Sequence, residues 1–173
     1  MPVPSPPEVW LRGPIPGVPA LLMPVVHSLL QIREELEAVV PQLSPEDVWA
    51  KPGGAAPVGF HLRHLAGSLD RLLTYARGQA LDERQRAALD AEEAADAPRE
   101  SPAALLRLAR NAIERAIDQV RTTSPGSLGD SRAVGRSALP STVLGLLFHA
   151  AEHAQRHAGQ IVTTARVVRP STR

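Results

Sequence analysis

The chain is predicted to be all-α, an up-and-down four-helix bundle with a proline-rich N-terminal arm. Two observations carry that expectation. Aromatic residues make up only 3% of the 173 residues while 43% are hydrophobic, so the core must be built mainly from Leu, Val and Ala, a composition suited to packed helices rather than a β-sandwich. Apolar residues also recur at helical spacing in four separate stretches, each roughly 20 residues or longer, with prolines at their borders. The length suits one domain with a substantial core and is short for two.

Residues 1–18 hold Pro2, Pro4, Pro6, Pro7, Pro14 and Pro16. They cannot form a regular helix and are expected to make an extended arm. The bundle is expected over 19–168, with a tail over 169–173. Its first helix runs from Leu21 to Val40, with apolar Leu22, Val25, Val26, Leu29, Leu30, Ile32, Leu36 and Val39, and ends at Pro41. Pro24 is tolerable there only in the first turn. Ser44-Pro45-Glu46-Asp47 predicts a capped short turn of helix before Trp49, and Lys51-Pro52-Gly53-Gly54 a loop. The second helix spans Val58 to Ala76 and closes at Gly78.

The polar, acidic stretch 79–100 leaves room for a short helix over 82–94. Ser101 and Pro102 begin the third long helix, carried by Leu105, Leu108, Ala112, Ile113, Ala116, Ile117 and Val120. Residues 124–137 are rich in Gly and Ser and predict a loop. Pro140 is expected to open the last helix, which reaches about Val167 and stops at Pro170. No repeat occurs at solenoid period.

Composition excludes several functions. Nineteen basic residues balance eighteen acidic ones, and no basic run is interleaved with aromatics, so nucleic acid is not an expected partner. Cysteine is absent, which removes disulfides, thiolate ligands and a cysteine nucleophile together. No apolar run approaches a membrane span and no signal-like segment is present, so no membrane partner and a cytoplasmic location are expected.

Five of the six histidines fall in two short clusters. His61 and His64 lie on the second long helix, and His149, His153 and His157 on the last. Neutral imidazoles four residues apart project from successive turns of one face and can close on one metal ion, with a third from another helix leaving a coordination position open. On the last helix His157 lies about 60° from the centre of the apolar arc, His153 about 100° and His149 about 140°, at the edge of the buried face. On the second long helix His61 lies roughly 80° from the leucine face and His64 roughly 140°, so periodicity alone favours His61 as the inward residue. His149 and His157 are about 12 Å apart along the axis, too far for easy joint ligation. His27 stands alone and is read as structural.

Other candidates are weaker. His149-Ala-Ala-Glu152-His153 lacks the zinc-protease spacing, no serine sits in a nucleophile elbow, and the Glu-x-x-His pattern of di-iron bundles does not occur at Glu114 or Glu46. The acidic pairs Glu34-Glu35 and Glu92-Glu93 read as solvated faces.

Trp49-Ala-Lys-Pro52, then His64-Leu65-Ala66-Gly67-Ser68, then His153-x-x-x-His157-Ala-Gly159-Gln160 occur in this order, and over about residues 20–167 the chain resembles the DinB/YfiT-like superfamily, whose members are regarded as metalloenzymes. The resemblance implies one divalent metal, most often Zn or Ni, held by His64, His153 and His157. His61, His149, Arg156 and Gln160 then fall in the surrounding pocket. Arg156 is a departure, since many members carry a further histidine there, and an arginine can attract an anionic group.

Characterised relatives are thiol-dependent, using bacillithiol, mycothiol or glutathione. The implied function is therefore an S-transferase in detoxification acting on a small-molecule substrate, with a low-molecular-weight thiol as cosubstrate. No side chain is singled out as catalytic, the reacting group being a metal-bound water or thiol. The alternatives are a metal-dependent small-molecule hydrolase and a non-catalytic, stress-related metal-binding bundle. For the last, the leucine face of the second long helix and the apolar arc of the last leave room for a homodimer.

Overall fold

The computed structural model describes residues 6–92 and 99–169. Pro2 and Pro4 of the arm, the end of the expected 82–94 helix, Glu93, and the Pro170 stop with the rest of the tail lie outside these residues. The elements are α1 (Met23–Val39), α2 (Pro45–Trp49), α3 (Val58–Ala76), α4 (Glu83–Glu92), α5 (Pro102–Thr122), β1 (Ser131–Val134), β2 (Leu139–Thr142) and α6 (Val143–Val168). The described residues are thus mostly helical, with one small two-stranded sheet among them. Among the described residues no helix is long and apolar enough to cross a membrane.

The four long helices appear where apolar periodicity places them. Pro24 sits in the first turn of α1, where its missing N–H costs nothing. The expected start at Leu21 is a 3-10 turn, Ala20–Leu22, and Val40–Gln42 forms another at the far end. Ser44 and Asp47 cap α2 reciprocally, each side chain bonding the other's backbone N–H. At the end of α3, Gly78 has φ +75°, and the Gly78 and Gln79 N–H groups return to the Tyr75 and Thr74 carbonyls. That is the glycine-terminated helix end in which orphan carbonyls are satisfied.

Leu22, Val26, Leu29, Ile32, Leu36, Leu62, Leu65, Leu69, Leu105, Ile113, Leu147 and Ile161 are the large side chains buried completely. Each contributes roughly 1.5–3 kcal/mol on burial. Buried alanines on α5 and α6, including Ala109, Ala116, Ala150 and Ala154, keep the faces that these helices turn to α1 and α3 narrow. α1 packs against α5 and α6, and α3 packs against the same two. The consecutive pairs α1/α3 and α5/α6 therefore face one another across the core, while α3 and α5 lie side by side. In the simplest up-and-down arrangement every consecutive pair is adjacent. The long links at 40–57 and 123–142 make those crossings.

The second of these links corrects the sequence reading. Pro140 does not open the last helix. It lies in β2, opposite Ala133, within an antiparallel hairpin registered Ser131 to Thr142 and Val134 to Leu139. Thr142 is the helix cap, its side chain accepting from the Gly145 N–H at 3.0 Å. The expected 124–137 loop accordingly contains a 3-10 turn and β1. Arg132 on β1 donates to the Ala76 carbonyl at 2.9 Å, fastening the hairpin to the end of α3.

The arm is not simply extended either. Val9–Arg12 form a 3-10 turn with Val9 buried. Gln31 accepts from the Val9 N–H at 3.0 Å, Arg12 pairs with Glu34, and His27 donates to the Gly13 carbonyl at 3.0 Å. His27 is thereby structural, as expected, and Glu34 has a partner in the arm.

Candidate metal centre

α3 and α6 are packed neighbours, and their histidines meet where they cross. One donor atom each from His64, His153 and His157 lies within 4.8 Å of the other two. His64 Nε2 is 3.0 Å from His153 Nε2. The rings of His64 and His157, and those of His153 and His157, have centroids 4.6 Å apart. A tetrahedral ion with bonds of about 2.0–2.1 Å requires its donors roughly 3.3 Å apart, so the His64–His153 pair at 3.0 Å is close to a ligand spacing, and His157 stands within 4.8 Å of both.

The wheel reading of α3 is correct about burial. His61 is buried and His64 only half-buried. Yet His64 joins the cluster, because the cluster lies at the edge of the core. His61 stands behind it, with its Nδ1 3.0 Å from His157 Nδ1. His149 is exposed and paired with Glu152. Gln160 is exposed on α6, almost one turn beyond His157. Arg156 is exposed and reaches back to His153 Nδ1 at 3.2 Å, while Glu152 holds its guanidinium at 2.7 Å.

The family model for the DinB superfamily matches residues 28–161, a span that includes the five clustered histidines and leaves His27 out. The chain belongs to the DinB superfamily. A comparison with curated proteins gives no match. Within this DinB superfamily chain, the Trp49 segment has a packing role. A Cβ on Gly59 would stand 2.7 Å from the Trp49 indole, whose Nε1 donates to the Glu100 carbonyl at 3.0 Å. α2 is thereby pinned to the start of α3.

Burial lowers the pKa of His157 most, to about 4, with charge on His64, His153, His61 and Arg156 acting in the same direction. His153 is lowered by burial and then by His64, Arg156 and His149, against a small opposing effect of Glu152. His61 is lowered by burial and by His64. These rings are therefore neutral at physiological pH, the form that offers a lone pair to a metal.

Sequence reasoning missed one residue. Glu92, expected on a solvated face, is buried at the end of α4 and accepts from His64 Nδ1 at 2.6 Å. Arg71, also buried, donates to the same carboxylate at 2.5 and 3.2 Å. Burial alone would raise the Glu92 pKa, but the hydrogen bonds and charges of His64 and Arg71 outweigh it, and the net shift is downward. The signal in the sequence was faint. His64, Gly67 and Arg71 share one face of α3, and a Cβ on Gly67 would overlap the Glu92 carboxylate and the Arg71 guanidinium.

Because Glu92 can only accept and Arg156 can only donate, the polar chain has one direction. Arg156 donates to His153 Nδ1, His153 Nε2–H donates to His64 Nε2, and His64 Nδ1–H donates to Glu92. A groove of about 410 Å³ between α1 and α6 is lined by Val25, Ser28, Phe148, Glu152 and Arg156. It adjoins the centre through Arg156. A larger cavity of about 630 Å³, lined by Tyr75, Arg86 and Arg136, lies between the end of α3, α4 and the hairpin.

Proposed function

We propose that the protein is a metal-dependent enzyme whose His64, His153 and His157 hold one divalent ion, Zn or Ni, and that it transfers a small-molecule thiol to an electrophile. The observation that carries this reading is the convergence of three imidazoles from two helices, with an ionised carboxylate behind one of them. A bound divalent ion supplies a Lewis acid that lowers the pKa of a coordinated thiol or water.

The residues fit that ion. His153 and His157 are held neutral by burial, so ligation does not first require removing a charge. Glu92 keeps the His64 proton on Nδ1 and leaves Nε2 directed at the cluster. Phe60 stacks on His64 with ring centroids 5.6 Å apart, limiting water on that side. Three protein ligands leave one position open, as catalytic sites do and closed structural sites do not.

The thiol must come from outside, since the chain contains no cysteine. The groove beside Arg156 is lined by apolar Val25, Phe148 and Ala151 and by the Arg156–Glu152 ion pair, and a small anionic thiol would bind there by taking the place of Glu152 on the guanidinium.

Metal content of purified protein, and of protein reconstituted with Zn or Ni, tests the first half of this reading. About one equivalent is expected, and its absence in every preparation overturns the proposal. A screen of low-molecular-weight thiols against electrophiles tests the second half. Metal-dependent turnover with a thiol is expected. Turnover without any thiol points instead to hydrolysis.

A further inference from the structure

We propose that Glu92 is a positioning residue for metal binding. Delivered by α4 and held by Arg71 in the hollow over Gly67, it fixes the His64 ring so that Nε2 faces His153 and His157. This inference rests on the three histidines holding a divalent ion.

α4 is a poor candidate for packing. From Glu83 to Ala91 each residue is exposed except half-buried Gln85, and only Glu92 is buried. Two polar fastenings join it to α3: Gln85 donates to Asp70 and Thr74, and Glu92 accepts from Arg71 and His64. A buried charge is an expensive way to attach a helix, and an apolar residue of similar size would commonly serve at least as well. What an apolar residue cannot do is accept a proton from His64 Nδ1.

That acceptor has two consequences for a ligand. A neutral histidine exchanges its proton between two nitrogens, and only the Nδ1–H form leaves Nε2 free. The carboxylate selects that form. It also pulls electron density toward Nε2 and fixes the ring plane, the role played by carboxylates behind metal-bound histidines generally.

The backbone is arranged to admit it. His64, Gly67 and Arg71 follow one face of α3, and the missing Gly67 side chain makes the space the carboxylate fills. Arg71 then supplies the opposite charge, its guanidinium 2.5 Å from the Glu92 carboxylate.

The test compares zinc affinity, by competition with a chromogenic chelator, in the wild type, Glu92→Gln, the double variant Glu92→Ala/Arg71→Met, and Gln85→Ala. The double variant removes both buried charges together, and circular dichroism verifies that it folds. Its zinc affinity is expected to fall about 10- to 100-fold, with Glu92→Gln, which retains an acceptor, in between. Gln85→Ala cuts the other fastening of α4. It is expected to speed amide exchange over 83–92 while leaving zinc affinity unchanged.

Nitrogen-15 NMR of the metal-free protein reads the His64 tautomer directly. It is expected to be Nδ1–H in the wild type and mixed in the double variant. Wild-type zinc affinity or an unchanged tautomer in the double variant overturns the inference while leaving the metal site standing. Wild-type protein that takes up no zinc, cobalt or nickel overturns the metal reading itself, and the tautomer measurement then decides whether Glu92 orients the ring.

Discussion

His61 and His157 meet Nδ1 to Nδ1 at 3.0 Å. Two imidazole nitrogens at that distance share one proton, so one ring donates and the other accepts. If His157 donates, its Nε2 lone pair is left for the cluster and His61 becomes the acceptor behind it. Burial lowers the pKa of His61, keeping it neutral and able to accept. The two histidines of α3 thus have parallel relations to His153 and His157 of α6: His64 meets His153 at the front of the cluster, and His61 supports His157 from behind.

Single substitutions should separate these roles. His64→Ala, His153→Ala and His157→Ala are each expected to abolish stoichiometric metal binding. His61→Ala should weaken it about 10-fold, as loss of an orienting partner does. His149→Ala should leave it nearly unchanged, since that ring is exposed and paired with Glu152. Isothermal titration with Zn or Ni measures all five. Retained binding in His64→Ala with loss in His61→Ala would reverse the assignment on α3. Metal at about a hundredfold excess over Kd should stabilise the wild type by about 2.7 kcal/mol, read as a rise in Tm.

Acid should destabilise the metal-free protein before its carboxylates titrate. His157 has a folded pKa of about 4, below its unfolded value of 6.5, and His61 and His153 are shifted the same way. Between those values the unfolded chain binds more protons than the folded one, so stability rises with pH across this window and falls as pH drops through it. Glu92, with a lowered pKa, adds a further loss once pH falls below the ordinary carboxylate range. Urea denaturation across this pH range checks the slope. A flat profile between pH 6.5 and 4 would contradict the burial of these rings. His157→Gln should reduce the slope.

The four long helices were legible because each has a periodic apolar face, and for three of them a boundary residue agrees with it: Pro24, Ser101 with Pro102, and Gly78 all stand where helix ends require them. The hairpin was not. Each of its strands has only four residues: β1 alternates in burial, but the two positions turned inward are Arg132 and Val134, one charged and one apolar, and β2 does not alternate at all, so no polar–apolar pattern marks the hairpin. Pro140 resembles a first helical residue as readily as an edge-strand one. At the site, the spacing of His153 and His157 was readable because both lie on one helix. The choice between His61 and His64 was not, because a wheel reports depth in the core and the cluster sits at its rim. Glu92 was invisible for a different reason. It lies 28 residues from His64 on a polar helix, and only the tertiary fold brings them together.

Two glycines should respond oppositely to alanine. Gly59 faces the Trp49 indole so closely that an added Cβ would stand 2.7 to 2.8 Å from three of its atoms. The indole is held by its bond to Glu100 and by Arg63 stacked over the ring at 5.3 Å, so it cannot retreat freely. Gly59→Ala should cost about 1–3 kcal/mol, the usual range for overpacking. Gly159, inside α6, has nothing within 4 Å of an added Cβ. Gly159→Ala should stabilise by about 0.5–1 kcal/mol through helix propensity. Chemical denaturation measures both. A destabilised Gly159→Ala would contradict the open space around that position.

Arg156 places two demands on the site that oppose each other. Its guanidinium donates to His153 Nδ1 at 3.2 Å, which favours the tautomer with hydrogen on Nε2, the nitrogen turned toward His64. Ligation through that nitrogen needs the proton on Nδ1 instead, so the arginine must swing away, and its charge also repels a cation. Glu152, bonded to it at 2.7 Å, offers a place to swing toward. Arg156→Gln should therefore raise metal affinity by about 5-fold, the equivalent of one solvent-exposed unit charge at close range. The same substitution removes the cation at the rim of the α1–α6 groove, so KM for an anionic thiol should rise while kcat changes less. Higher metal affinity with unchanged KM would keep the tautomer argument and remove Arg156 from substrate binding. Unchanged metal affinity would mean that the guanidinium already lies clear of His153 when metal binds.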